Sequence, residues 1–419
     1  MLRHIFSTFV SKVLSAAINF GVIILTTQFL GPDGRGQISL FVADIALVIL
    51  TAQLVGGPAL VYLAARHRPF ALAVVSYAFA LLAGVVGPSV LVLLGQVPPG
   101  LEVHLFTLAV LESLHAVQTV FLLGWDLPRR NRIQLVRSVL QMATLLLLFY
   151  FQTPAVMHYV WAFYVGSGWV MVASGRAVWP RLRPFTLRRL PVVARLVVRM
   201  GSQAQVSNII QFLNFRLSYY FLNAFVDVGA VGLYSTGVML AESIWVVSQS
   251  IGTVQYSVLT QQRDRDYAVR VSGQMAKLSG WVCLVAVGGL LLLPPSLLRL
   301  VFGPEFGDLG GVINTLAPGV LAHGVTVPLN HYFSSRGRYG VNIRISLVGL
   351  AVTLVACGVL IPTLGATGAG LAASAAYVAM MVYVLYRFRR DNGFRLHQLL
   401  PTAADARALR GGLRRLLRR

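Results

Sequence analysis

Uninterrupted apolar runs of about 18 residues or more recur from one end of this chain to the other, and nothing else about it restricts the possible folds so severely. Each is long enough, as a helix, to cross the hydrocarbon core of a bilayer. Lipid offers no partner to a bare peptide group, so a spanning segment must be a helix or part of a closed barrel. The runs are continuous rather than alternating, which excludes a porin-like barrel. Only 11% of the 419 residues are charged and 57% are hydrophobic, too little charge to coat a soluble protein. The pattern predicts an all-α integral membrane protein of about twelve spans, near 5–30, 37–63, 70–95, 102–124, 133–152, 156–178, 200–225, 229–259, 273–298, 310–334, 341–362 and 366–387. The first run is too long for the apolar region of a signal peptide and is read as a retained spanning helix.

The net charge of +22 is carried almost wholly by arginine, since lysine occurs only at Lys12 and Lys277. The charges sit in short clusters between the runs, as the positive-inside bias requires, so no nucleic-acid partner is expected. With the N-terminus in the cytoplasm, 30 basic residues fall in inner segments and two, Arg35 and Arg299, in outer loops. Lys12, Arg137 and Arg216 fall within spans. A missed helix would invert every later loop, so this asymmetry supports the even count and places both termini inside. Cys283 and Cys357 each lie in a span, which argues against a disulfide framework or a metal site. No cofactor is expected.

A basic connector, 179–199, separates an N-terminal six-helix lobe (1–178) from a C-terminal one (200–387), and a basic tail follows (388–419). The connector is compatible with a helix lying on the membrane surface and equally with a solvated linker. The tail end, RALRGGLRRLLRR, suits anionic headgroups or a frayed terminus. The halves repeat weakly: FLGPDGRGQISLF resembles AFVDVGAVGLYST, aligning Gly36 with Gly232 and Gly56 with Gly252. Six helices per half gives a parallel repeat about an axis along the membrane normal.

Polar side chains within the spans are the functional candidates, because they are costly in lipid. Thr8, Lys12, Ser15, Asn19 and Thr26 form a stripe on span 1, and Ser207, Gln211, Asn214 and Ser218 form one on span 7. Arg216 projects from nearly the opposite face of span 7, with Gln205 near that face and Asn208 between. Lys12, Ser15, Asn19, Arg137, Asn208, Gln211, Asn214 and Arg216 are the expected cavity residues. Helix–helix hydrogen bonding is the competing role for the uncharged ones. Asp44, Glu112 and Glu242 are the membrane acids, each either a partner for a nearby base, such as Asp44 for Lys12, or a carrier of a coupling ion. His115, His323 and His331 are further titratable candidates. No nucleotide-binding loop, zinc-protease motif or serine-hydrolase elbow is present, so no enzymatic activity is expected.

Four segments carry a family resemblance: QFLGPDGRGQISLF, FVDVGAVGLYSTGVMLAESI, LPPSLLRLVFGPEF followed by a helix ending in SSRGRYG, and LIPTLGATGAGLAASAAYV. In order and spacing over nearly the whole chain they resemble the polysaccharide transporters, the lipid-linked oligosaccharide flippases of the multidrug/oligosaccharidyl-lipid/polysaccharide exporter superfamily. The resemblance implies two six-helix lobes around a cationic central lumen. It implies alternating access that carries an undecaprenyl-diphosphate-linked oligosaccharide (an O-antigen, capsule or exopolysaccharide unit) to the outer leaflet of the inner membrane, coupled to protons or sodium. The implied partners are that substrate, membrane lipids and, as a candidate, glycan polymerase machinery, with the protein itself a monomer. The chain departs from the family late in helix 7, where many members carry an acid and this one has Arg216-Leu217-Ser218. A lipid II flippase, a cation-coupled drug exporter and a membrane glycan polymerase are the alternatives.

Overall fold

The computed structural model describes residues 2–64, 69–183, 190–262 and 264–394; side chains are described from Ser11 on, apart from Lys12, Pro58, Gln203, Ala204 and Gln261. The tail beyond Phe394, residues 184–189 of the connector and the Lys12 side chain thus lie outside the described residues. The described chain is helical: α1 (Leu2–Ala52), α2 (Gly57–Leu63), α3 (Pro69–Leu93), α4 (Glu102–Trp125), α5 (Leu127–Phe151), α6 (Val156–Val178), α7 (Leu190–Phe225), α8 (Val228–Gln261), α9 (Arg265–Leu291), α10 (Pro295–Phe302), α11 (Leu309–Ser335) and α12 (Tyr339–Asn392).

Two of these helices are broken in the middle. Gly31 in α1 has φ 63° and Gly365 in α12 has φ 57°, a left-handed backbone that glycine enters at little cost. Pro32 follows Gly31, cannot donate to the preceding turn, and so begins a new helix. Among the described residues nine helices, α1 and α12 included, are long and apolar enough to cross a membrane. With each broken helix taken as two spans, and the more polar α7 added, about twelve spans result, and the chain is a multi-pass membrane protein.

Several boundaries differ from expectation for local reasons. The expected second span stops early: α1 ends at Ala52, and Gly56 (φ 113°) turns the chain into the short α2. Span 7 starts early, because α7 is helical from Leu190 and so includes the last part of the connector. Arg35, read as an outer-loop residue, lies in the first turn of the second half of α1. The Gly31-Pro32 break starts that helix sooner than the apolar run does.

The chain divides into two compact units. The first holds the residues up to Thr236 together with Pro294–Leu309; the second holds Gly237–Leu293 and the residues from Gly310 on. In the first unit, α4 is buried along most of its length, with Leu105, Leu108, Ala109, Phe121 and Leu122 enclosed. Lipid is as apolar as leucine, so close packing and polar contacts, rather than hydrophobic burial, must hold such helices together. Small residues permit the approach: a Cβ on Gly84 would stand 2.9 Å from the Val110 Cα.

Within this unit the repeat becomes visible as contact. A Cβ on Gly36 would collide with the Val228 carbonyl, and one on Gly232 with the Pro32 carbonyl. Ser39 and Ser235, separated by the same 196 residues as the two glycines, share a hydrogen bond of 2.8 Å. Residues that meet their own repeat equivalents lie on a local two-fold axis, here between the second half of α1 and the start of α8. The other aligned pair plays unlike roles: Gly56 sits at a chain turn, whereas Gly252 lies within α8, where a Cβ would meet the His331 ring in the second unit.

The second unit is joined mainly by neutral polar groups. The Trp245 indole donates to the Val320 carbonyl at 3.1 Å, Gln255 donates to Ser272 at 2.9 Å and to the Pro328 carbonyl at 3.0 Å, and Ser279 donates to the Gly324 carbonyl at 2.7 Å. Ser374 bridges α12 to α11 by donating to the Thr315 carbonyl and accepting from the Gly319 amide. At the end of α12, Asp391 lies 2.7 Å from Arg338 and 3.3 Å from Arg387.

Candidate functional site

The first unit brings three sets of polar groups to the depth of its helices. Glu112 on α4, one of the expected ion carriers, pairs with Arg137 on α5, one of the expected cavity residues. The Arg137 Nη2 lies 2.7 Å from Glu112 Oε1, and its Nη1 donates to Oε2 at 3.3 Å. Ser167 on α6 also donates to Oε1, and His115, one turn along α4, places Nε2 3.0 Å from that atom. The fork of the guanidinium matches the carboxylate, the geometry in which such pairs are strongest. Gly166 lets the Arg137 stem pass, since a Cβ there would stand 3.2 Å from Arg137 Cγ, and the guanidinium lies 5.1 Å from the centre of the Phe163 ring.

The second set is cationic and aromatic. Arg35 interacts electrostatically with Arg216 of α7 and with the hydroxyls of Tyr159 and Tyr219. Arg35 Nε is buried and has no partner among the described residues. The Arg216 guanidinium lies 5.4 Å from the centre of the Tyr219 ring, within range of a cation–π attraction, and one of its N–H groups donates to the Phe215 carbonyl. Tyr159 links this set to the first, as it also feels Arg137 and Glu112. The third set is Asp44 on α1, which is fully buried and accepts a 2.8 Å hydrogen bond from the Tyr220 hydroxyl of α7.

Elsewhere on α1, Ser15 is half-buried and Asn19 exposed, while Thr26 turns to a buried face and donates to the Ile23 carbonyl of its own helix. The stripe expected on span 1 therefore ends before Thr26. On α7, Asn214 is buried, Gln211 half-buried, and the exposed Asn208 donates to Gln205 at 2.9 Å. Gln205 in turn donates to the Leu50 carbonyl, which is freed because the Leu54 amide bonds to Thr51 where α1 ends. Gln205 thus mends a helix end, and Asn208 bonds to it from the next turn of α7. Glu242 is half-buried in the second unit.

The residues missed from sequence are Arg35, Ser167 and the tyrosines 159, 219 and 220. Proline in the first turn of a helix was the available signal for Arg35. The tyrosines gave none, because an aromatic in an apolar run reads equally well as core.

No family model matches the chain, and no curated protein matches it in sequence. Solved structures do match in fold. One is the inward-facing conformation of a multidrug resistance MATE family transporter of the MOP superfamily, with a TM-score of 0.72 and 16% identity over 90% of this chain and 94% of that one. Another is the lipid II flippase MurJ in an inward closed conformation, with a TM-score of 0.70 and 14% identity over 95% of this chain and 89% of that one. A third is the MATE transporter VcmN of Vibrio cholerae, with a TM-score of 0.63 and 12% identity over 95% of this chain and 98% of that one. The chain therefore has the fold of MATE and MurJ transporters.

Proposed function

We propose that this protein is a flippase that carries an undecaprenyl-diphosphate-linked oligosaccharide, such as an O-antigen, capsule or exopolysaccharide unit, from the cytoplasmic to the outer leaflet of the inner membrane. The observation that carries this reading is the Arg35–Arg216 pair among Tyr159 and Tyr219. Two guanidinium groups and two phenols that interact within one membrane unit make a cationic, hydrogen-bonding cluster suited to an anion. Of the membrane acids, Glu112 contacts Arg137 and Asp44 contacts Tyr220. Guanidinium forks and phenol hydroxyls suit diphosphate oxygens. The fold supports transport of either kind, lipid-linked or drug; the sign of the charge favours an anionic cargo over an organic cation. The arginine-rich inner segments favour cytoplasmic termini.

The test is reconstitution with a fluorescently labelled lipid-linked glycan and measurement of the fraction that reaches the opposite leaflet. Arg35→Gln and Arg216→Gln are expected each to slow translocation by about tenfold or more, as one charge-assisted hydrogen bond is worth roughly 1.5–3 kcal/mol. Lys12→Gln, on the span 1 stripe, is expected to act in the same direction. Normal delivery of the glycan in cells that lack the protein and any substitute would end this reading. Export of organic cations by the purified protein would replace it with that of a drug exporter.

A further inference from the structure

Asp44 has no part in cargo binding on this reading, yet it is the costliest group in the first unit to leave charged. Its side chain is fully enclosed on the second half of α1. Oδ1 accepts from Tyr220, while Oδ2 is buried with no hydrogen-bond partner among the described residues. The ionisable groups on the elements packed against α1 are turned to other partners. On α4 and α5, His115 and Arg137 both face Glu112. On α6 and α7, Tyr159, Tyr219 and Arg216 interact electrostatically with Arg35 of α1 itself. On α3, Tyr77 bonds to Gln118 of α4, and beyond α10 the Glu305 carboxylate lies beside the Gly31 break, where a Cβ would stand 2.5 Å from it. Among the described residues Tyr220 alone donates a hydrogen bond to Asp44.

A carboxylate with one hydrogen bond and no counter-ion, out of water, is unfavourable, and such a group resolves the conflict by taking up a proton. A neutral carboxyl suits the site: its carbonyl oxygen accepts from Tyr220 and its hydroxyl carries no charge. A metal ion suits it poorly, because a hard cation gathers about six oxygens. The site offers one carboxyl and one phenol.

We propose that Asp44 is the proton-carrying group of the transport cycle. The inference rests on the transporter reading above and selects the proton over sodium as the coupled ion. With the proton on Oδ2, α1 and α7 stay packed through the Asp44–Tyr220 hydrogen bond. When water reaches the site the proton passes to it, and the carboxylate left behind is stable only while hydrated, which holds the two helices apart. Protonation from the other side restores the packed form. Glu112 serves this purpose less well, since Arg137 compensates its charge at 2.7 Å.

The experiment is infrared difference spectroscopy of the full chain in liposomes, without cargo, as pH is varied. The wild type is expected to show the carbonyl stretch of a protonated carboxyl, lost as pH rises. The band is absent in Asp44→Asn. In Tyr220→Phe it persists at higher frequency, because the carbonyl has lost its donor. No band in the wild type, a band unchanged in Asp44→Asn, or a band that never titrates would overturn the proposal. With labelled lipid-linked glycan present, an imposed pH gradient is expected to speed translocation several-fold in the wild type and not in Asp44→Asn. Acceleration by a sodium gradient alone would overturn the choice of ion. If no glycan moves, the cargo reading fails, while the spectra still decide the state of Asp44.

Discussion

The two units use polar groups in opposite ways. The first encloses Glu112 with Arg137, sets Arg35 near Arg216, and buries Asp44 with a tyrosine for company. The second joins its helices through Trp245, Gln255, Ser279 and Ser374, and keeps its Asp391 ion pairs at the end of α12. Neutral hydrogen bonds suffice to hold helices together in lipid. Charges at that depth are retained when they do something else. Among these contacts, buried charge is the mark of the first unit and neutral hydrogen bonding that of the second, where Glu242 and Lys277 are half-buried.

The largest expected effect tests that contrast directly. Glu112→Gln leaves the Arg137 guanidinium buried without its counter-charge, and breaking a buried pair in this way costs about 3–5 kcal/mol. A large fall in thermal stability in detergent is expected, partly restored when Arg137→Gln is added. The corresponding change in the second unit, Asp391→Asn, leaves Arg338 and Arg387 at a helix end where Arg338 is 41% exposed, and is expected to cost less. Equal losses in the two variants would show that the ion pairs of the two units do the same work.

Close packing, by contrast, is expected to cost the same in both units. Gly36→Ala drives a methyl into the Val228 carbonyl, and Gly319→Ala places one 2.6 Å from the Ser374 Cα. Each is expected to lower stability by about 1–3 kcal/mol, the usual penalty of overpacking, measured by the same thermal assay. A much smaller loss at Gly319 would mean that the second unit is loosely packed, and the contrast would then concern rigidity as well as charge.

How much of this was legible in the sequence depends on whether a feature repeats along the chain. Spans repeat, and so do the arginine clusters between them, so the helix content and the approximate span count could be read directly. The Gly36–Gly232 alignment was legible too, though not that the two glycines touch. Helix ends were harder: the apolar run from 37 on conceals the fact that Pro32 had already started the helix, and this misplaced Arg35. Pairing was hardest. Glu112 and Arg137 were both singled out, the first as either a partner for a nearby base or an ion carrier and the second as a cargo ligand. Their meeting depends on how α4 and α5 are rotated against each other, and no single helix encodes that. Asp44 was set against Lys12, whose side chain lies outside the described residues; among those described its hydrogen bond is to Tyr220, 176 residues away.

The smallest expected effect bears on the axis rather than on the charges. Ser39 and Ser235 are repeat equivalents joined by one hydrogen bond, to which one hydroxyl gives its proton while the other donates within its own helix, Ser39 to the Arg35 carbonyl or Ser235 to the Gly232 carbonyl. Removing one hydroxyl therefore leaves the other satisfied. Interhelical hydrogen bonds in membranes average about 0.6 kcal/mol, so Ser39→Ala and Ser235→Ala are each expected to be mild, and the double variant to cost little more than either alone. Ser279→Ala in the second unit, which loses bonds to both Ser248 and the Gly324 carbonyl, is expected to cost somewhat more. Additive losses for Ser39 and Ser235 in a double-mutant cycle would mean that the two do not interact. The axis would then rest on the glycine contact alone, where bare backbones touch and no side chain can be removed.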